Sequence, residues 1–555
     1  MEFVWPQNYD PLNNALLSTV LASLPILVLL GSIAIFHIRI HLAAVFGLLV
    51  AIAVALFVYK MPSTAVAAST VYGGAYGLFP IGWIVLNLIF LYQLTVDKGL
   101  FTIIRMHLSN IAPDPRVQVI LIAYAFGAFF EGAAGFGTPV AITAAILIQL
   151  GFRPLAACGL ALIANTAPVA FGALGTPIIA LSAVTGIDIL KLSAMVGRQL
   201  PLFSFIVPFW VIWAMAGFRG MISVWPAAFV AGFSFALTQY LVSNFHGPWL
   251  VDIFASIASI ISIIVLLKFW QPKTIWQLEK DENSITMQPD PQNVLTKDIV
   301  RAWTPWVILT LFIFAWGIPT VKNHLNSISA PQYEVSYLHN LVKRSPPIAP
   351  IPTLEKPAKT EEAIFKLNWI SATGTGILLA AILAGFAIGY SIKEMFKIYF
   401  QTLWRVRFSL ITIAAMLALG YVTKYSGADA TLGLALAKTG VLYPFFGTML
   451  GWLGVALTGS DTASNVLFGS LQTITAKQTD VSPILMASAN SSGGVMGKMV
   501  DAQSIVVAST ATNWYGHEGK ILRYVFFHSI ALAALVGLFV FLQAYVIPFS
   551  NMVVK

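Results

Sequence analysis

Cysteine and charge are both scarce in this sequence. One of the 555 residues is a cysteine, Cys158, so the chain cannot form an internal disulfide or a cysteine-ligated metal cluster. Only 10% of the residues are charged, whereas 58% are hydrophobic. A soluble protein of this size needs a charged surface that this chain does not have. The composition therefore predicts a polytopic membrane protein.

The chain also lacks the motifs of several other protein classes. No nucleotide-binding loop, zinc motif or nucleophile elbow stands in a credible context, so we predict no catalytic residue, no metal site and no cofactor. Lys and Arg outnumber Asp and Glu by 31 to 22, but they lie between apolar runs and indicate topology rather than a nucleic acid partner. No Lys or Arg precedes Arg39, so we expect no cleavable signal peptide.

Four small, polar, glycine-rich stretches interrupt the long apolar runs, and they form two pairs. They lie at residues 130–139 and 165–168, and at 458–465 and 490–494. Glu131 is the only charged residue between positions 117 and 152, and Asp461 is the only one between positions 442 and 476. Irregular backbone and lone carboxylates are costly in hydrocarbon. Paired breaks in two halves of a chain are typical of the substrate site of a transporter.

The lengths of the interrupted runs predict hairpins. The run around Glu131 would make one helix of roughly 50 Å, against about 30 Å for a bilayer core. We therefore expect a re-entrant hairpin near 117–151 and another near 442–476. Counting both as non-crossing leaves about 12 transmembrane helices with both chain ends outside. The first hairpin then enters from the cytoplasm and the second from outside, as in an inverted repeat.

The predicted fold is an all-α polytopic membrane protein with about 12 transmembrane helices plus two opposed re-entrant hairpins. We expect a first inverted repeat at residues 1–268, a cytoplasmic loop at 269–300 and a second inverted repeat at 301–555. The second repeat contains a proline-rich extracytoplasmic loop at 320–367. Residues 393–407 are predicted to be a basic link between two spans.

Uncharged polar residues and glycines at the breaks predict where a substrate binds. Half-helix N-termini carry unpaired N–H groups that attract a carboxylate, and glycine lets a ligand approach the backbone. Small residues also pack membrane helices together, so a structural role stays open for each of them. The predicted substrate-binding residues are Gly135, Gly137, Thr138, Asn165, Thr166, Ser460, Thr462, Ser464, Asn465, Asn490, Ser491, Ser492 and Gln503.

Glu131 and Asp461 are the candidates for carrying a coupled proton. A carboxyl group in apolar surroundings is easily protonated because its charged form is disfavoured. The alternative is a permanent structural pair with a base. Lys498 is the obvious partner, and Asp501, three residues further on, can pair with Lys498 along one helix face. Lys498 could instead meet the carboxylate of the substrate.

Long motifs in this chain resemble the L-lactate permease family, and the likeness runs nearly end to end. The motifs are EGAAGFGTPVAI at 131–142, NTAPVAFG at 165–172, LTGSDTASN at 457–465 and GGVMGKM at 493–499. The resemblance implies a protein of the bacterial plasma (inner) membrane that takes up L-lactate, D-lactate and glycolate together with protons. It also implies kinship with the ion transporter superfamily, whose members bind substrate between two opposed hairpins.

Three other functions stay open, and one of them is a passive channel, which would not accumulate substrate against a gradient. A sodium-coupled transporter of small organic anions would have the same architecture. A membrane-embedded enzyme needs a nucleophile and base or a set of metal ligands, and the spans contain no cluster of His or Cys. The predicted partners are therefore a small carboxylate, protons and membrane lipid, while the oligomeric state stays open.

Overall fold

The computed structural model of the chain describes residues 4–34, 36, 38–100, 102–104, 112–133, 135, 138–278, 296–349, 360–514 and 517–555. Gly137, one of the predicted binding residues, lies outside the described residues. So do residues 279–295 of the predicted cytoplasmic loop and 350–359 of the predicted extracytoplasmic loop.

Helices dominate the described chain. In the first half the α-helices are α1 (Ala15–Ala34), α2 (Ile40–Ala53), α3 (Ser63–Tyr76), α4 (Trp83–Asp97), α5 (Pro115–Val119), α6 (Gly127–Ala133), α7 (Thr138–Gln149), α8 (Pro154–Ala164), α9 (Gly172–Thr185), α10 (Ile189–Gln199), α11 (Pro201–Ser223), α12 (Trp225–Phe245) and α13 (Val251–Phe269). Shorter turns of π-helix or 3-10 helix continue some of them at Val54–Val58, Gly77–Gly82, Ile120–Phe126 and Val169–Phe171.

The second half of the described chain is also mainly helical. Its α-helices are α14 (Thr296–Gly317), α15 (Pro319–Ile328), α16 (Thr373–Ala387), α17 (Ile392–Ser426), α18 (Ala428–Leu436), α19 (Tyr443–Thr458), α20 (Asp461–Gln478), α21 (Pro483–Gly497), α22 (Ala502–Ala511) and α23 (Glu518–Tyr545). Two 3-10 segments are Ala437–Leu442 and Phe549–Met552.

Four short strands lie in the N-terminal segment and in the predicted extracytoplasmic loop. They are β1 (Trp5–Pro6), β2 (Gln332–Glu334), β3 (Val342–Lys343) and β4 (Ile364–Lys366). β1 pairs parallel with β3, with Trp5 opposite Val342, and β2 pairs antiparallel with β4. The first pairing places the N-terminal segment and the loop on the same side of the protein, as the predicted topology requires.

Eleven helices in the described part of the chain are long and apolar enough to cross a membrane. The number is up to twelve if Pro154–Ala164 and Val169–Thr185, which are bent by 62°, form one broken span. This confirms the predicted polytopic membrane protein with about 12 transmembrane helices. The entry of the hairpins from opposite sides of the membrane stays a prediction.

A buried polar cluster joins three connections at one end of the bundle. Arg116 donates to both oxygens of Asp114, at 3.0 and 2.7 Å, to Ser223 Oγ at 2.5 Å and to the Thr274 carbonyl at 2.8 Å. The Trp276 N–H donates to Asp114 at 3.1 Å. Burial alone would raise the pKa of Asp114, but the hydrogen bonds from Arg116 and Trp276 outweigh it and hold that pKa below its ordinary value. The sequence predicts that all three connections lie in the cytoplasm.

Both predicted hairpins consist of two packed arms that meet at a glycine. The arms are Pro115–Ala133 and α7 in the first hairpin, and α19 and α20 in the second. Gly135 and Gly459 adopt φ angles of 58° and 71° at the turns, a region that favours glycine. Within the second hairpin, Ser464 Oγ donates to the Gly451 carbonyl at 3.2 Å.

Two predicted boundaries are wrong. Residues 393–407 are not a link, because Ile392–Ser426 is one helix of 35 residues. Its length is roughly 50 Å, so its basic first turns extend beyond a bilayer core of about 30 Å and keep their charges in water. Residues 490–494 are not a break either, because they lie inside α21, and the chain breaks at 498–501 instead.

Close helix packing explains the glycines that suggested the second break. A Cβ on Gly493 would lie 2.3 Å from the Thr448 carbonyl oxygen, and one on Gly451 would lie 2.1 Å from the Asn490 carbonyl oxygen. These glycines let α19 and α21 touch at the backbone, which is the usual role of small residues between membrane helices. Here the structural reading of a small residue is correct.

Candidate functional site

The tips of both hairpins border one cavity of about 110 Å³. Sites for drug-sized ligands are larger, about 300–1,000 Å³, so this volume suits only a molecule of a few heavy atoms. The walls come from both hairpin tips, the broken span α8–α9, the middle of α17 and the segment after α21. The lining residues are Glu131, Gly135, Val169, Gly172, Ala173, Thr176, Pro177, Ser409, Thr412, Ile413, Gly459, Ser460, Asp461, Thr462, Lys498 and Gln503.

Glu131 lies at the first tip and is 5% exposed. Asn165, which ends α8, donates its amide to Glu131 Oε2 at 3.2 Å. A Cβ on Gly172 would lie 2.7 Å from Glu131 Oε1, so glycine here allows the carboxylate to lie close to the backbone. The amide oxygen of Asn165 has no hydrogen-bond partner among the described residues. The carboxylate is thus held by an uncharged group from the broken span.

Asp461 has a matching environment at the second tip. Ser491 Oγ of α21 donates to Asp461 Oδ2 at 2.5 Å, and the Asn465 amide donates to the same oxygen at 3.3 Å. Asp461 Oδ1 has no partner in the described part of the chain. Asn465 also donates to the Pro177 carbonyl at 3.2 Å, which connects the second hairpin to the broken span of the first half. Each hairpin carboxylate is therefore bonded by uncharged side chains.

Lys498 supplies a positive charge to the cavity. Its Nζ donates to the Gly459 carbonyl at 2.5 Å and lies 3.4 Å from Asp501 Oδ2. Its charge also attracts both Glu131 and Asp461. Asp501 in turn caps α22 by accepting the Ser504 N–H at 2.7 Å. Lys498 is therefore a centre around which three carboxyl groups are arranged.

The predicted binding residues divide into a wall and a layer behind it. The structure brings Gly135, Ser460, Thr462 and Gln503 to the wall, together with Glu131, Asp461 and Lys498. Behind the wall, the hairpin carboxylates accept hydrogen bonds from Asn165, Asn465 and Ser491.

Asn490 belongs to this layer too, because its amide donates to Asn465 Oδ1 at 3.0 Å and to Ser464 Oγ at 3.4 Å. Thr166 bonds the Ile163 carbonyl at 2.8 Å, and Ser492 bonds Gln199 at 2.7 Å, so neither side chain is directed to the wall. Thr138 is the first residue of α7.

Three hydroxyl-bearing residues of the wall do not follow from the sequence prediction. Ser409 and Thr412 stand three residues apart in α17, and Thr176 stands at the start of the regular part of α9. The available signal was weak: two hydroxyl residues at a spacing that puts them on one helix face, inside an otherwise apolar run.

Comparisons with known proteins agree with one another. The model of a family described as L-lactate permease matches residues 18–547. Glycolate permease GlcA of Escherichia coli (strain K12) is 44% identical over 569 residues, covering 99% of this chain and 100% of that protein. L-lactate permease of the same strain is 44% identical over 551 residues, covering 98% and 99%. L-lactate permease of Bacillus subtilis (strain 168) is 43% identical over 559 residues, with the same coverage.

Proposed function

We propose that this chain, which belongs to the L-lactate permease family, takes up L-lactate and related short 2-hydroxymonocarboxylates together with protons. D-lactate and glycolate are the related substrates. The protein is a multi-pass membrane protein whose relatives are permeases, so the enzyme alternative is set aside. We place it in the bacterial plasma (inner) membrane.

The observation that carries the proposal is the cavity between the two hairpin tips. Ser460 caps the N-terminus of α20, where N–H groups and the helix dipole attract an anion. Thr462 and Thr412 add hydroxyl groups to the wall. Hydroxyls beside a helix N-terminus match a small molecule that has both a carboxylate and an alcohol group. Lys498 adds the positive charge.

The charges of the cavity support coupling to protons. Around Lys498 lie three carboxyl groups, those of Glu131, Asp461 and Asp501. When all three are ionised, negative charge already exceeds positive charge there, and a substrate anion would increase that excess. Like charges about 4 Å apart repel by about 4 kcal/mol at an effective dielectric constant of 20. Protonation of Glu131 and Asp461 removes this repulsion, so we infer that protons and anion enter together.

Alternating access follows from the proposed inverted repeat. Residues 1–268 and 301–555 would each contribute one hairpin, and the two hairpins would enter from opposite sides. The cavity then opens to one face while the other face stays closed.

Proteoliposomes test the function directly. We expect labelled L-lactate to accumulate above equilibrium when the interior is alkaline, and not when the two pH values are equal. Glu131→Gln and Asp461→Asn should lose this accumulation but keep exchange of lactate for lactate. Accumulation that follows a sodium gradient and ignores pH would contradict the proposal and favour the sodium-coupled alternative. Competition by D-lactate and glycolate then ranks the substrates.

A further inference from the structure

Another buried carboxyl group lies behind the first hairpin and outside the cavity. Asp252 stands in the first turn of α13 and is 1% exposed. Neither of its carboxyl oxygens has a hydrogen-bond partner among the described residues. Burying an ionised carboxylate without a partner is very costly. Asp252 is therefore most stable with a proton bound.

Asp252 packs directly against the tip that carries Glu131. A Cβ on Gly132 would lie 2.8 Å from Asp252 Cβ, so glycine at this position allows α13 to contact the hairpin. Gly132 is the next residue after Glu131. The two carboxyl groups are near enough that their negative charges repel each other. Lys498 attracts the charge of Glu131, whereas no described Lys or Arg pairs with Asp252.

Three other titratable groups lie on elements that pack against α13 or directly beside them: Tyr240 of α12 is exposed, and Tyr124 and His246 have other partners. The Tyr124 hydroxyl donates to the Ser204 carbonyl at 2.8 Å. His246, at the end of α12, has its Nε2 3.4 Å from the Phe314 carbonyl and stacks on the Phe314 ring. Among the described residues, Glu131 is thus the acid that acts on Asp252.

The position of Asp252 along α13 indicates a direction. The far end of α13 leads into the connection that holds Trp276, which belongs to the buried cluster at the predicted cytoplasmic end. Asp252 lies at the opposite end. On that side Lys322 of the predicted extracytoplasmic loop lies 5.4 Å above the Trp249 ring. Asp252 therefore stands between the predicted outer face and Glu131.

We propose that Asp252 relays the coupled proton to Glu131, an inference that rests on the proposed proton symport. The proton passes through one bridging water: the O–H bond of Asp252 breaks as the water takes its proton, the water gives another proton to form an O–H bond on Glu131, and the negative charge passes from Glu131 to Asp252. A solvent proton from the outer face then reloads Asp252. Glu131 is neutral after the transfer, and the cavity accepts the substrate anion. Asp252 acts through Glu131 and touches no substrate.

Asp252→Asn in proteoliposomes tests the relay. We expect proton-driven uptake of labelled lactate to fall on the order of 10²-fold, as for loss of a proton-transfer group, while exchange of lactate for lactate stays at the wild-type rate. Asp252→Glu keeps a carboxyl group and should restore most of the uptake. D₂O should slow the residual uptake of Asp252→Asn more than it slows the uptake of the wild type, because proton delivery limits the rate in the variant. A structural role would not change the isotope effect.

Asp429→Asn is the matched control. Asp429 is also a buried carboxyl group, but it accepts a hydrogen bond from Ser470 and lies away from the cavity wall. This variant should keep both exchange and uptake. Gly132→Ala gives an independent test, because it separates α13 from the hairpin and should reduce uptake more than exchange.

The outcomes separate the relay from the proposed function. If wild-type uptake ignores the pH gradient, the proposed function itself fails. If the wild type responds but Asp252→Asn matches it, only the relay is refuted. Loss of exchange together with uptake in both the Asn and the Glu variants would show that Asp252 is structural, and would also refute the relay.

Discussion

Gly451→Ala should damage both stability and transport, although Gly451 is absent from the cavity wall. The added Cβ would lie 2.1 Å from the Asn490 carbonyl oxygen and 2.8 Å from its carbonyl carbon. Favourable contacts are about 3.5–4.0 Å, so α19 and α21 must separate by about 1 Å or more. Overpacking of this kind costs about 1–3 kcal/mol.

The same displacement reaches the cavity that we propose as the substrate site. Asn490 donates to Asn465, and Asn465 donates to Asp461, so a shift of α21 disturbs the carboxylate at the second tip. A displacement of about 1 Å away from a reacting centre can cost on the order of 10²-fold in rate. We expect a similar loss of lactate uptake in proteoliposomes, with a lower free energy of unfolding in detergent micelles.

Gly31→Ala is the control for this prediction. Gly31 lies in α1, and a Cβ there would meet nothing within 4 Å. Its uptake should equal that of the wild type, and its unfolding free energy should be no lower than that of the wild type, because alanine is the better helix former. Wild-type uptake and stability in Gly451→Ala would refute the view that α19 and α21 are in backbone contact. A loss in Gly31→Ala as large as that in Gly451→Ala would show that the effect is not specific to that contact.

Further predictions concern the cavity and the buried polar cluster around Asp114. Thr412→Val removes a wall hydroxyl and should raise KM for lactate about tenfold with normal folding, the loss expected for one hydrogen bond to a charged ligand; an unchanged KM would remove Thr412 from the site. Lys498→Met leaves Asp501 buried and unpaired, so unfolding free energy should fall by about 3–5 kcal/mol, and adding Asp501→Asn should recover part of it; equal losses in the single and double variants would contradict the pairing. The lowered pKa of Asp114 means that its contribution to stability is present above its ordinary pKa of about 3.9 and is lost as pH falls through the lower folded value. Arg116→Gln should therefore lower the melting temperature at pH 7 and weaken its decrease in acid; a melting curve with the wild-type acid dependence would contradict this assignment.

In the sequence, the isolated charged residues were good predictors of residues that line the cavity, and the small residues were poorer predictors. Glu131 and Asp461 stand out because an apolar run tolerates a carboxylate only for a reason, and both border the cavity. Asp252 in α13 is a carboxylate of the same kind, and the sequence prediction does not include it. In the sequence, Gly493 and Gly494 suggest a helix break. A glycine at a break and a glycine at a close contact between two helices cannot be told apart from the sequence alone.

Contacts between distant parts of the chain could not be predicted. Ser409 and Thr412 enter the wall because α17 packs against α9 and α20, and no local pattern shows which face of α17 is turned to these helices. The bond from Asn465 to the Pro177 carbonyl joins residues 288 positions apart. The helical fold and the breaks follow from local periodicity and composition, whereas these neighbours depend on how the two halves pack.

The uninterrupted course of α17 limits how the protein can move. This helix runs from a capping box at Ser391 to Ser426 without a bend-inducing proline or glycine turn, and Thr412 lies near its middle. A stiff rod of this kind tilts as a whole and cannot flex locally beside the bound anion. The flexible parts of the wall are the broken span α8–α9 and the hairpin turns at Gly135 and Gly459. Opening and closing of the transport route must therefore occur at these places.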